Sequence, residues 1–352
     1  MIADPAPDQL RAWLRPAWKG RDIFDESVFF VGEPGAATAP LLFTPRGRVR
    51  LVSADGNTLY VEGRDFRVEG RNLVLTPGSR VPFKTRGQLY PPPGSPQSIG
   101  AAREGGTHLF FGEGHLWHDL QAAASYRHAG DWKWGAPAAS AKRLPRLAER
   151  LRRNHPLSMV ALGDSITAGG NASGRTGVAP GMPAWPELVA WGIQDRTRSV
   201  VRLTNLAVGG MSSPWGLERA GACADARPEL MAIAFGMNDA SGRRPATEFA
   251  DTVMRTVDAV RARVPECEFV LVATMTGNPE WSYSAPELYD AYRDALAAKA
   301  GDGVALADVT TAWKAVAARK TWRDLTGNGV NHPNDFGHRI YAWTVMVALG
   351  LA

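Results

Sequence analysis

From Pro156 onward the sequence alternates short apolar runs with stretches of helical period, and that rhythm is its tightest constraint on a fold. The apolar runs are Ser158–Leu162, Val200–Leu203, Leu230–Phe235, Phe269–Ala273 and Val304–Ala307. Helical patterns cover Trp185–Gln194, Thr247–Val264, Ala285–Ala298 and Asp335–Leu349. A strand that is apolar throughout has to be covered on both faces, and a helix between successive strands provides that cover. The reading is an α/β domain with a parallel sheet. In such sheets functional groups collect at the carboxyl ends of the strands.

Residues 27–130 keep a different rhythm. Ser27–Val31 is β-rich, and Arg48–Val52 alternates, turns at Asp55-Gly56-Asn57 and returns through Thr58–Val61. Asp65–Val68 and Leu73–Leu75 repeat the pattern, and Thr107–Phe111 and Leu120–Tyr126 offer later strands. Short strands between Gly and Pro turns predict a β-sandwich or jelly roll. Between the halves, Leu144, Leu147, Ala148 and Leu151 share one face of an amphipathic helix over 141–153 whose Lys and Arg residues face solvent. The expected organisation is an all-β domain over 1–135, a linker helix over 136–154 and an α/β domain over 155–352.

Composition narrows the function classes. The 352 residues are 45% hydrophobic and carry a net charge of +5. No Lys/Arg block forms a nucleic-acid groove. Two cysteines, Cys223 and Cys267, make no disulfide scaffold and have no zinc-ligand spacing. His115 and His118 lack a third clustered ligand, so no metal is expected. Met1–Pro5 does not open a leader sequence, and the apolar tract Tyr341–Ala352 is too short to span a bilayer. The expectation is a cytoplasmic protein with neither membrane nor nucleic-acid partner. Asn171-Ala172-Ser173 matches a glycosylation sequon but carries no reading without a leader.

Three strand ends carry polar clusters: Gly163-Asp164-Ser165, Asn205 to Gly210, and Gly236-Met237-Asn238-Asp239. A fourth, Asn331-His332-Pro333-Asn334, precedes the last helix. Together they read as acyl-transfer machinery. A serine hydroxyl needs a base, so Ser165 is the candidate nucleophile and His332 the base. The tetrahedral intermediate needs fixed donors for its oxyanion, for which the backbone N–H groups of Ser165 and Gly210 and the amide of Asn238 are candidates. Asp239 is expected to hold the loop that aims Asn238, Asn334 or Asp335 to cap the last helix, and His338 to be packed or solvent-facing rather than catalytic. Trp185, Trp215, Trp281 and Tyr283 are candidates for stacking on a sugar ring, with core or surface packing the alternative role for each.

Those four blocks resemble the SGNH (GDSL) hydrolase superfamily over roughly Pro156 to the C-terminus. The resemblance implies a flavodoxin-like α/β/α sandwich, no metal or organic cofactor, Ser165 and His332 as the catalytic pair, and Ser165, Gly210 and Asn238 as the oxyanion hole. With a β domain in front, the architecture looks like the carbohydrate esterases of family 2, which remove acetyl groups from sugars. The implied partner is a small acyl ester or an acetylated saccharide. A lipase or arylesterase, an acyltransferase and a glycan-binding protein are the alternatives. A metallophosphoesterase lacks the further Asp and His ligands it requires. One position departs from the superfamily: the aspartate usually found three residues before the histidine is Gly329 here. The backbone carbonyl at Gly329, Asp324 or Asp335 is then expected to orient the imidazole.

Overall fold

The computed structural model describes residues 5–100, 102–103 and 107–352. The opening Met1–Asp4, which bear on a leader sequence, lie outside the described residues. The N-terminal half is built on one mostly antiparallel sheet. Its strands are β1 (Asp22–Val31), β2 (Thr38–Pro40), β3 (Pro45–Ser53), β4 (Leu59–Tyr60), β5 (Phe66–Glu69), β6 (Asn72–Leu75) and β7 (Phe83–Lys84). β8 (Ser98–Ile99) and β9 (Leu109–Phe110) form a separate ribbon, and β10 (Gln121–His128) returns to the main sheet. The order is β4-β3-β10-β1-β2-β6-β5, with β7 pairing parallel to β1. The hairpin expected around Asp55-Gly56-Asn57 is present, with Leu51 opposite Tyr60. β1 begins five residues before its apolar run, because Asp25 at φ 45° makes an irregularity between Ile23 and Glu26 that breaks the period-two pattern.

The C-terminal half is a five-stranded parallel sheet of β11 (Leu157–Gly163), β12 (Val201–Asn205), β13 (Leu230–Ala234), β14 (Glu268–Ala273) and β15 (Val304–Asp308). The spatial order β12-β11-β13-β14-β15 is that of doubly wound flavodoxin-like sheets. Helices Trp185–Thr197 and Asp335–Ala348 pack together, and Ala246–Arg263 packs with Pro286–Lys299. The predicted linker helix is divided. Pro145 opens the helix Pro145–Arg152, leaving Ala141–Arg143 as a separate 3-10 turn. Leu144, Leu147 and Leu151 are buried, whereas Ala148 is exposed. The Glu268 carboxylate accepts the first free N–H groups, from Arg146 (3.2 Å) and Leu147 (2.8 Å). No helix among the described residues is long and apolar enough to cross a membrane.

One hydrophobic core runs through both halves and includes Val28, Leu51 and Leu73 together with Val160, Ile233 and Trp343. The N-terminal helix Pro7–Trp13 packs on the α/β half, where the Trp13 carbonyl accepts from Arg339 Nε and Trp343 Nε1. Lys320 and Glu26 form a fully buried ion pair at 3.3 Å between the halves. Glu26 also accepts from the backbone N–H of Leu42 and from Tyr126 Oη. Burial pushes its carboxyl above the ordinary value against the opposing pull of Lys320. Lys320→Met leaves Glu26 without its counter-charge, and chemical denaturation should record a loss of about 3–5 kcal/mol. Adding Glu26→Gln to that variant should restore part of the loss.

Candidate active site

β11 lies between β12 and β13, where the strand order reverses, and Asp164 and Ser165 are the first residues beyond its end. The chain coils tightly there, with Ala168 N–H donating to the Asp164 carbonyl and Gly170 N–H to that of Ser165. Asp164 Oδ1 accepts the Ile166 N–H at 3.0 Å and steadies this turn. The Asp164 carboxyl is buried, and burial pushes it up to about 7. Ser165 caps no helix, since the next begins at Ser173. Its Oγ instead lies 2.8 Å from His332 Nε2.

His332 sits in the loop before the helix Asp335–Ala348. Asn328 Oδ1 gathers the N–H groups of Val330, Asn331 and His332 at 3.0–3.1 Å, so the loop winds around one side chain. Asn334 caps the helix through the Gly337 N–H and donates to Ser27 Oγ on β1 and Gln121 Oε1 on β10. The imidazole is oriented by a residue the sequence reading missed. Asn171 Oδ1 is 2.7 Å from His332 Nδ1, and Asn171 Nδ2 donates to the Gly114 carbonyl at 2.8 Å. An amide oxygen only accepts, so Nδ1 carries the ring proton and Nε2 is left as an acceptor facing the Ser165 hydroxyl. Glu113 Oε2 stands 3.4 Å from the same Nδ1.

The three acceptors expected from the sequence are engaged elsewhere. The Gly329 carbonyl accepts from Asn278 Nδ2 at 3.0 Å. Asp324 accepts the Phe29 N–H and caps its own short helix through Thr321. Asp335 Oδ1 accepts the Ser173 N–H at 2.8 Å. Asn171 follows Gly169-Gly170 in the turn after Ser165 and had shown only its sequon. Glu113 sits in the β half, with no motif to mark it.

The oxyanion candidates come from three strand ends. The turn after β12 holds Gly210 at φ 79°, a left-handed conformation that glycine adopts without strain. The turn lies against Ser165, because a Cβ on Gly209 would stand 3.6 Å from that of Ser165. Asn238 is the second residue of the short helix Met237–Ser241 after β13 and donates one amide hydrogen to the Met211 carbonyl at 2.8 Å. The same amide has a second hydrogen to offer. Buried Asp239 accepts from Ser213 N–H, Ser213 Oγ and Arg244 Nε, tying the Asn238 helix to the segment after Gly210. His338 is buried with Nε2 3.1 Å from the Gly170 carbonyl, and burial pushes its imidazole down to about 4. It is a neutral support beneath the turn that carries Asn171.

The aromatic candidates separate. Trp281 is buried against Leu109 and Val330, so its ring is packing and not an open platform. Its neighbour Tyr283 is exposed, with centroids 5.6 Å apart. Trp215 is half-buried beneath the Arg219 guanidinium. His115 pairs with Asp119, and His118 faces the Ala179 carbonyl. Among the described residues no three His, Cys, Asp or Glu side chains group to hold a metal ion. Cys223 and Cys267 are free and buried, and burial pushes each thiol up to about 12.

A buried carboxyl whose proton is held more tightly in the folded state contributes stability that is present at low pH and lost as pH rises through its folded value. For Asp164 the window runs from the ordinary 3.8 to about 7. Asp164→Asn should therefore lose less stability than the wild type between pH 5 and pH 8, read from thermal melts across that range.

The family model for GDSL-like lipases/acylhydrolases matches residues 161–340, just over half of the chain. A search of curated proteins gives no match. Solved structures similar to the chain include a GDSL-like lipase candidate from Parabacteroides merdae at 19% identity, covering 56% of this chain and 97% of that one, TM-score 0.47. A two-domain esterase active on acetylated mannans is 23% identical over 60% of this chain and 53% of its own, TM-score 0.46. An acetyl xylan esterase from Geobacillus stearothermophilus is 18% identical over 55% of this chain and 95% of its own, TM-score 0.42.

Proposed function

The chain belongs to the GDSL-like lipase/acylhydrolase family, and on that premise we propose that it is a serine esterase that removes short acyl groups, acetyl above all, from carbohydrate. The observation that carries this reading is the 2.8 Å contact between Ser165 Oγ and His332 Nε2, with the histidine's other nitrogen held by Asn171. His332 takes the hydroxyl proton as Ser165 Oγ attacks the ester carbonyl. The oxyanion of the tetrahedral intermediate is met by the N–H groups of Ser165 and Gly210 and the amide of Asn238. His332 then returns the proton to the departing alcohol. In the second half His332 takes a proton from water as it attacks the acyl carbonyl, and passes it to Ser165 Oγ as the acyl–serine bond breaks and the carboxylic acid leaves. No step calls for a metal or organic cofactor. The preference for sugar esters is supported by exposed Tyr283 and half-buried Trp215, rings of the kind that stack on saccharides. In this reading residues 155–352 carry the chemistry, 136–154 link, and the β region over 1–135 frames the site.

The test is hydrolysis of p-nitrophenyl esters of increasing chain length beside acetylated xylo- and manno-oligosaccharides. Turnover should peak at acetyl, extend to the sugar esters and vanish in Ser165→Ala. Asn238→Ala should lower kcat by about a hundredfold with KM little changed. A maximum at long acyl chains would make the enzyme a lipase, and absence of serine-dependent turnover on every ester would overturn the reading.

A further inference from the structure

We propose that Glu113, carried by the N-terminal β region, is the carboxylate that positions His332 and balances its charge, so that the active site is completed from outside the parallel-sheet half. The inference rests on the Ser165–His332 reading of the site.

Gly329 stands where the superfamily resemblance expects an aspartate, and it has φ 88°. A Cβ there would lie 2.3 Å from Trp117 Cζ2 and 2.8 Å from the Phe110 carbonyl. No side chain fits, because the segment after β9 already fills that space. The same segment delivers a replacement charge. Its Gly112 N–H donates to the Asn328 carbonyl, Glu113 Oε1 accepts from Asn328 Nδ2 at 3.1 Å, and Gly114 accepts from Asn171. Glu113 is thereby fastened to both the loop that carries His332 and the amide that orients it. Its Oε2 stands 3.4 Å from His332 Nδ1.

Asn171 and Glu113 divide the task of one aspartate. Asn171 is closer at 2.7 Å and fixes the tautomer, but it is neutral. When His332 takes the serine proton it becomes a cation, and an anion beside Nδ1 stabilises that state. Burial pushes the Glu113 carboxyl up, yet His332, Asn328 and Asn171 together hold it below its ordinary value, so it is ionised wherever His332 works as a base. The Glu113 side chain is 55% exposed, so solvent screens the pair and its effect is moderate. The other titratable groups facing the ring are Asp164 and His338.

Glu113→Gln isolates the charge. Glutamine has nearly the same shape and keeps a carbonyl oxygen for Asn328 Nδ2. The variant should fold with unchanged Tm, lose about three- to tenfold in kcat and leave KM nearly unchanged. With its anion removed the imidazolium is less favoured, so the acid limb of kcat/KM should move to lower pH. Asp164 and His338 are common to both proteins and do not contribute to that difference. Raising NaCl should bring the wild type toward the variant. Serine-dependent turnover in the wild type with an unaltered rate and acid limb in Glu113→Gln would overturn this inference alone. A loss of rate that follows a loss of Tm while the acid limb stays fixed would also overturn it, in favour of a packing role. Absence of serine-dependent turnover in the wild type would overturn the esterase reading and this one with it.

Discussion

An imidazole that acts as a base has two nitrogens and, when neutral, one proton to place between them. The wrong tautomer presents an N–H to the serine and accepts nothing. Here the choice is made by a directed series of hydrogen bonds. The Gly114 carbonyl takes a proton of the Asn171 amide, which turns the amide oxygen to His332 Nδ1, which leaves Nε2 open to Ser165. Each link has one polarity, because a carbonyl only accepts and an amide nitrogen only donates. Much of the surrounding structure keeps this series in register. Asn328 winds the histidine loop, His338 holds the Gly170 carbonyl, and Asp164 steadies the turn from which Ser165 and Asn171 both project.

What could be read from the sequence and what could not divide along a physical line. The parallel sheet was legible because buried strands and amphipathic helices leave a local periodic trace. Ser165, Gly210, Asn238 and His332 were legible as candidates because each sits in a short polar cluster at a strand end or before a helix. Asn171 has no such signature. It meets a residue 161 positions away, and nothing near it in sequence tells a ring acceptor from a sequon. Glu113 contacts the histidine loop across 215 positions and from the other half of the chain. Local irregularities hid smaller features. The Asp25 distortion concealed the start of β1, and Pro145 divided a helix whose apolar spacing looked continuous. Trp281 stayed open between platform and packing because composition reports that a ring exists and not which way it faces.

The two halves are joined by polar bonds as well as by apolar burial. Arg339, deep in the last helix, donates to the carbonyls of Trp13 and Phe24. Asn334 spends one nitrogen on β1, β10 and the Asp324 carbonyl while its oxygen caps that helix. Lys320 and Glu26 meet where neither reaches water. Buried groups of this kind tolerate little displacement, because a broken partner leaves a desolvated donor or charge. The β region is therefore fixed against the segment that carries His332 and the last helix.

The indole of Trp117 against Gly329 also limits what a single substitution can achieve. A mutation that put aspartate at 329 would meet the Trp117 ring before it could reach the histidine, and one that shrank Trp117 would open a void beside Phe29 and Phe110 with no carboxylate yet present to use it. Each change is harmful without the other. A carboxylate at 329 would therefore need both changes together, and no single substitution in this structure supplies it.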